Sequence, residues 1–418
     1  MKKLIAAAVA AAVIAPASVM AAGPTLYGKI HMAVENHDNN GSNALLGTPG
    51  FEAENTKYDE WNLSSRSSRI GVKGSEDLGN GMKVGYLIEW EVGMDSGSSN
   101  DLSTRNRAVT LSGDWGTALL GKWDTPFKTL GRKFDMFGDR IGDLRNMNTG
   151  AVIDQRAENV AAYVTPNMNG FTATIAYSFD ALSTGLDDDG VSRGGDNSDS
   201  SAWTFNAIYN NGPLMAGIGY VDYSTGSFSV SNGSPATVIV DPVTGLPATK
   251  PAVASTSCFQ SSTVNNCENE KAWRAGASYK FGDFKVAATY TDISNASGMD
   301  GKDTSIWSLG GSYTMGNNII KVQYASRDEY DDWKNATGAK VTNSGQDTGA
   351  DMWVIGLDHK MSKRTTVYAA YATMDNDKNS AGTSWSQGNS SSNGSAGVNS
   401  QGNAQDADSF AVGIIHKF

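Results

Sequence analysis

Four stretches of the chain repeat one two-faced pattern. Phe171, Ala173, Ile175, Tyr177 and Phe179 alternate with Thr172, Thr174, Ala176, Ser178 and Asp180. Trp203, Phe205, Ala207 and Tyr209 alternate with Thr204, Asn206 and Ile208. Trp273, Ala275, Ala277 and Tyr279 alternate with Arg274, Gly276, Ser278 and Lys280. Trp307, Leu309, Gly311 and Tyr313 alternate with Ser308, Gly310, Ser312 and Thr314. Successive side chains of a strand point to opposite faces. Each stretch therefore reads as a strand with one apolar face and one small, polar or charged face. Aromatics close both ends of the apolar face, commonly six residues and about 20 Å apart. A lipid-facing band with an aromatic girdle at each interface requires that arrangement. A soluble sandwich also alternates, but has less reason to repeat aromatics at both ends of strand after strand. The pattern predicts an all-β transmembrane barrel.

The punctuation between strands sets their number. Tight turns fall near 76–81, 114–116, 166–170, 210–213, 281–283, 316–318 and 362–364, all but the last (Ser362-Lys363-Arg364) containing Gly or Asn. Long polar loops fall near 37–57, 94–103, 124–155, 182–200, 224–269, 293–303, 331–349 and 375–406. Seven short and eight long connections join sixteen antiparallel strands, an even number as bacterial barrels require. Short turns belong to the periplasmic rim and long loops to the extracellular rim. The low-complexity stretch 379–403 would pass for a linker in isolation, but between strands it is a solvated loop. A barrel must close, because open edges are not tolerated in lipid, so no domain boundary is expected. The last strand fits closure: Phe410, Val412, Ile414, His416 and Phe418 share one face.

Composition narrows the setting. Mean hydropathy is −0.36, which excludes a bundle of membrane helices. The one long apolar run, 4–15, is too short to span a bilayer. It follows Lys2 and Lys3 and leads into Ser18-Val19-Met20-Ala21-Ala22, so residues 1–21 read as a secretory signal peptide and 22–418 as the barrel. Its removal leaves 31 basic against 44 acidic side chains, a net charge of −13, which argues against nucleic acid as a partner. Export leads to an oxidising compartment, where Cys258 and Cys267, both in one polar loop, are expected to pair. No motif calls for a cofactor or metal. The acidic runs 187–190 and 375–379 read as solvated loops, the second lacking the sixth-position Gly and twelfth-position acid of a calcium loop. His31, His37, His359 and His416 sit in no nucleophile or metal motif, so no catalytic set is expected.

Three segments resemble the Gram-negative general porins. They are Thr25-Leu26-Tyr27-Gly28-Lys29, the strand and turn 68–81 (SRIGVKGSEDLGNG), and Gly413-Ile414-Ile415-His416-Lys417-Phe418. The resemblance implies a sixteen-stranded barrel, a homotrimer in outer-membrane lipid and lipopolysaccharide, and a third long loop folded into the lumen. It implies too that the barrel-assembly machinery reads the terminal Phe418. Such a protein does no chemistry; its narrowest point filters solutes by size and charge. The pleat turns Arg69, Gly71 and Lys73 inward, since Ile70 and Val72 are apolar. Tyr163 suits the lipid interface and turns Arg156 inward, and Arg105 and Arg107 share one parity. By resemblance, Arg69, Arg105 and Arg156 match constriction arginines, and Lys122 stands where the family often carries another. Lys83, Glu89 and Glu91 are further inward candidates. The third loop carries Asp124, Asp135, Asp139, Asp143 and Asp154 against Lys128, Arg132, Lys133, Arg140 and Arg145. These charges balance, which leaves the sign of selectivity open.

The expected function is passive diffusion of ions and small hydrophilic solutes. A substrate-selective channel would need a lumenal aromatic slide or an excess of lumenal Lys. An adhesin or receptor would act through its loops with the lumen plugged, and an outer-membrane enzyme would need a His-containing set on a smaller barrel. Thiol titration of the unreduced, denatured protein should find no reactive Cys258 or Cys267; two reactive thiols would rule the disulfide out.

Overall fold

The computed structural model describes residues 22–39, 58–95, 102–148, 151–181, 201–224, 238–240, 247–249, 268–334, 340–377, 379–380, 382–384 and 406–418. Residues 1–21 (the expected signal peptide), Cys258, Cys267 and the acidic run at 187–190 lie outside them.

Sixteen strands form the wall. They are β1 (Ala22–Asn39), β2 in two segments (Tyr58–Ser65 and Arg69–Gly79), β3 (Met82–Val92), β4 (Leu102–Gly113), β5 (Gly116–Asp124), β6 (Arg156–Val164), β7 (Phe171–Asp180) and β8 (Ser201–Asn211). The second half is β9 (Leu214–Ser224), β10 (Glu270–Phe281), β11 (Phe284–Ser294), β12 (Thr304–Met315), β13 (Asn318–Arg327), β14 (Ala350–Lys360), β15 (Thr365–Asn376) and β16 (Ala407–Lys417). Each pairs antiparallel with the next, and β16 returns to β1 in register from Lys29 opposite Lys417 to Asn39 opposite Ala407. The two segments of β2 run end to end along β1, so seventeen ladder segments make sixteen barrel strands. Between Ser65 opposite Met32 and Arg69 opposite Lys29, β2 takes four steps against three on β1. That is a bulge. The seven expected turns join the strand pairs assigned to them.

The outer face carries the two girdles. Near the long-loop rim, Tyr177 and Trp203 pack at 4.7 Å, Tyr220 and Trp273 at 4.4 Å, and Tyr324 and Trp353 at 4.4 Å. Near the short-turn rim, Phe281 and Phe284 stack at 5.6 Å and Phe284 and Tyr313 at 4.3 Å. Between them the exposed positions are Ile218, Val286, Leu309, Val322 and Ile355. In water this band would be an aggregation surface; in hydrocarbon it is the required solvent match.

The inner face is filled by the third loop. Thr125 caps a short helix, α1 (Pro126–Gly131), by accepting a hydrogen bond from the Lys128 N–H at 3.2 Å, with Pro126 at the first turn. Phe127, Leu130, Phe134, Phe137, Ile141, Met147 and Ile153 of the loop are buried. Inward glycines make the room. A Cβ on Gly217 would stand 2.6 Å from Leu130, on Gly276 2.5 Å from Phe134, on Gly310 2.8 Å from Met136 and on Gly356 2.7 Å from Phe137. Burying each of these large apolar side chains stabilises the docked loop by about 1.5–3 kcal/mol.

The chain end completes the wall. The Gly28 N–H donates to the Phe418 carbonyl at 3.0 Å, and the Phe418 N–H donates to the Gly28 carbonyl at 3.2 Å. The Phe418 ring lies where a Gly28 side chain would be, its Cζ 2.4 Å from that Cβ position. Deleting Phe418 should cut the yield of folded barrel, read as heat-modifiable migration on gels, while the conductance of barrels that do form stays unchanged.

Candidate functional site

The third loop crosses the lumen and leaves a polar hollow of about 280 Å³ against β2–β6. Its cations are Arg69, Arg105 and Arg156 of the wall and Lys128, Arg132 and Arg145 of the loop. Its carboxylates are Glu89 and Glu91 of β3, Asp124 and Asp139. Six positive groups therefore face four negative ones. Most are paired. Arg105 donates to Glu89 at 2.7 Å and also binds Glu91. Arg156 lies 3.2 Å from Asp124 and donates to Asn106 at 2.8 Å. Lys29 of β1 reaches Asp139 at 3.0 Å, and Arg132 reaches it at 2.9 Å. Pairing does not hide the two signs equally. The side chains of Arg132 and Arg69 remain 32% and 27% exposed, against 9% for Glu89 and 10% for Asp139. The two most exposed charged groups in the hollow are therefore guanidinium; its most exposed carboxylates, Glu91 and Asp124, stand at 18% and 16%.

Ion pairs and polar contacts fix the loop's position. Arg140 binds Asp358 of β14 through two hydrogen bonds, 2.6 and 3.1 Å, and stacks over Tyr368. Arg274 of β10 binds Asp154 at 2.8 and 3.1 Å. Gln323 of β13 accepts from the Met136 N–H and donates to the Gly142 carbonyl. Gly142 has φ +75°, and a Cβ there would meet Val354 at 2.4 Å. The loop acids differ in charge state. Burial pushes Asp139 upward, but Lys29, Arg132 and Arg145 hold it well below the ordinary carboxylate range. Burial likewise opposes ionisation of Asp143 and Asp154, yet Arg145 and Arg274 hold them low. Their stabilising contribution is present above an ordinary Asp pKa of about 4 and is lost only as pH falls through their depressed values. Asp135 behaves oppositely. Burial, reinforced by Asp143, raises it to about 7 although it accepts the Phe137 and Leu144 N–H groups. Its contribution therefore declines as pH rises from about 4 toward about 7.

The Gram-negative porin family pattern matches residues 6–379. The chain belongs to that family. It is 29% identical over 392 residues to outer membrane porin protein 32 of Delftia acidovorans, covering 90% of each chain. Its fold superposes on an anion-selective porin from Comamonas acidovorans with a TM-score of 0.63 at 25% identity, covering 95% of this chain and 99% of that one. A trimer form of OmpT from Vibrio cholerae superposes with a TM-score of 0.55 at 14% identity, covering 94% and 99%. This porin is a passive diffusion channel of the bacterial outer membrane.

The residues singled out from sequence divide into three groups. Arg69, Arg105, Arg156, Asp124 and Asp139 line the porin's hollow. Asp135, Asp143 and Asp154 are buried: Asp135 and Asp143 serve the loop's own backbone and Arg145, and Asp154 binds Arg274 of the wall. Arg107 and Lys122 stand on the opposite face of the wall, which corrects their expected place beside Arg105. Between Ile88 opposite Arg107 and Trp90 opposite Thr104, β4 carries one extra residue, so the shared parity of Arg105 and Arg107 is broken. Arg107 lies opposite Ile88 and over Trp90; Lys122 lies opposite Arg107 and pairs with Glu158 at 2.5 Å. Sequence reading missed Lys29, although it shares the inward parity of His31 and Glu35. It placed Gly276 and Gly310 on the small face but missed that such inward glycines seat the loop, for which their placement inside strands was the available signal. Arg140→Ala should weaken loop anchoring by about 1.5–3 kcal/mol, because Asp358 loses two charge-assisted hydrogen bonds but keeps Lys321 at 3.2 Å. Single-channel recordings should then show a larger and noisier open state at neutral pH.

Proposed function

We propose that this porin favours anions, and that Arg69, Arg105 and Arg156 form the filter with Asp124 and Asp139 as its acidic counterpart. The observation that carries the reading is the excess of two cations in the hollow, together with the greater exposure of Arg69 and Arg132 over the acids beside them. The description of the Comamonas protein as anion-selective supports the same sign. The chain's net charge of −11 is no objection. Acids on outer loops act over about one Debye length, roughly 8–10 Å, whereas groups at a constriction act at contact range and are screened less. Acids in the outer loops, such as Asp328, Glu329, Asp331 and Asp332, then give a salt-dependent correction at the mouth.

The porin is further proposed to work as a homotrimer in lipid and lipopolysaccharide, inserted by the barrel-assembly machinery after loss of residues 1–21. Family membership and the apolar outer face support this.

A reversal potential measured across a KCl gradient tests the filter. The unmutated protein should favour chloride. Arg69→Ala and Arg156→Ala should each shift the potential toward cations, more at 0.1 M than at 1 M salt, as the Debye length shrinks from about 10 to about 3 Å. An unchanged potential in both variants would show that these arginines do not set selectivity.

A further inference from the structure

Periplasmic to the charged hollow, the same wall turns apolar. Leu87 stands two residues beyond Glu89 on β3, opposite Lys73 of β2 and Ala108 of β4. Trp123 of β5 lies opposite Ala157, and Leu119 lies between Thr110 and Ala162. Leu119, Ala157, Val160 and Ala176 form one buried cluster, with Ala108, Trp123 and Ala162 packed on it. A hollow of about 380 Å³ opens over Leu87, Ala108 and Trp123, with Thr25, Lys73, Ser75 and Thr110 also on its boundary. Leu87, Ala108 and Trp123 are half-buried there. Polar side chains would suit a water path better, so an apolar step in the lumen asks for an occupant.

Its position says which. Two strand residues advance about 7 Å, so the step lies one small ring's length from the arginines. We propose that the pore contains a transit site for small amphipathic monocarboxylates. The carboxylate rests on Arg69, whose guanidinium lies 3.4 Å from Glu89 and keeps surface toward the hollow, and the compact apolar part rests on Leu87, Ala108 and Trp123. A sugar or an inorganic anion can use only the polar half. This inference rests on the anion-favouring reading of the pore for its charged half. Its apolar half stands on separate residues.

Benzoate and acetate are matched probes, alike in charge and different in apolar area. Each is titrated against the KCl conductance of the full-length porin in a planar bilayer. Benzoate should half-block at roughly one-tenth the concentration of acetate, the gain expected when part of a phenyl ring leaves water. Benzyl alcohol, which lacks the charge, should not block at that concentration. The readout is the benzoate-to-acetate ratio within each variant, so changes in basal conductance cancel. Trp123→Ala should bring the ratio close to one, and Leu87→Ser should lower it by a smaller barrel perturbation. Equal block by the two acids in the unmutated pore would overturn the site, as would a ratio left unchanged by both variants. A ratio that depends on Trp123 in a pore with no chloride preference would uphold the apolar site and sink the anion reading instead.

Discussion

Every backbone N–H and C=O in the wall must find a partner within the protein, because hydrocarbon offers none. This constraint explains why β1 runs the full height of the barrel and carries β16 on one edge and β2 on the other. It explains the reciprocal hydrogen bonds between Gly28 and Phe418 at the last free edge. The outer side chains can then be almost uniformly apolar, with Trp and Tyr where lipid meets water. A closed wall also leaves the inner face free to vary, since wall stability does not depend on a packed centre.

That freedom is used by one loop. The described residues of the third loop, 124–148 and 151–155, cross the lumen and dock on β8–β10 and β12–β14 through large apolar side chains set against inward glycines. The glycines would weaken a soluble sheet, but here the ladder is held from both sides and the absent side chains admit Leu130, Phe134 and Phe137. Apolar burial supplies most of the docking energy. The Arg140–Asp358 and Arg274–Asp154 pairs fix where the loop sits, since a misplaced loop would leave buried charges alone.

The electrostatics of the passage follow from that docking. The loop carries equal numbers of acids and bases, yet they are not equivalent once placed. Asp135 and Asp143 turn to the loop's own backbone and Arg145, Asp154 is taken by Arg274 of the wall, and Arg132 keeps surface toward the passage. On the wall, Glu89 is shared by Arg69 and Arg105 and is nearly buried between them. A balanced composition thereby becomes an unbalanced surface, and the sign of the field comes from exposure rather than from a count.

Much of the fold was legible in the chain because strand periodicity and turn chemistry are local. Trp273 to Tyr279 measures the membrane within a single strand, and Gly316-Asn317-Asn318 marks a turn without reference to anything distant. Sixteen strands, the inward parity of Arg69 and Glu89, and the outward parity of Phe410 to Phe418 all follow from such local information. What failed was local reasoning carried across a bulge. One extra residue opposite Glu89 turns Arg105 to the lumen carboxylates and Arg107 to Trp90, and nothing in the residues of β4 announces it. Which loop acids meet the passage, and why Lys29 joins them, depended on contacts more than 100 residues apart in sequence, such as Lys29 with Asp139. Periodicity assigns a side chain to a face. Only the closed barrel, with its loop packed inside, decides what that face meets.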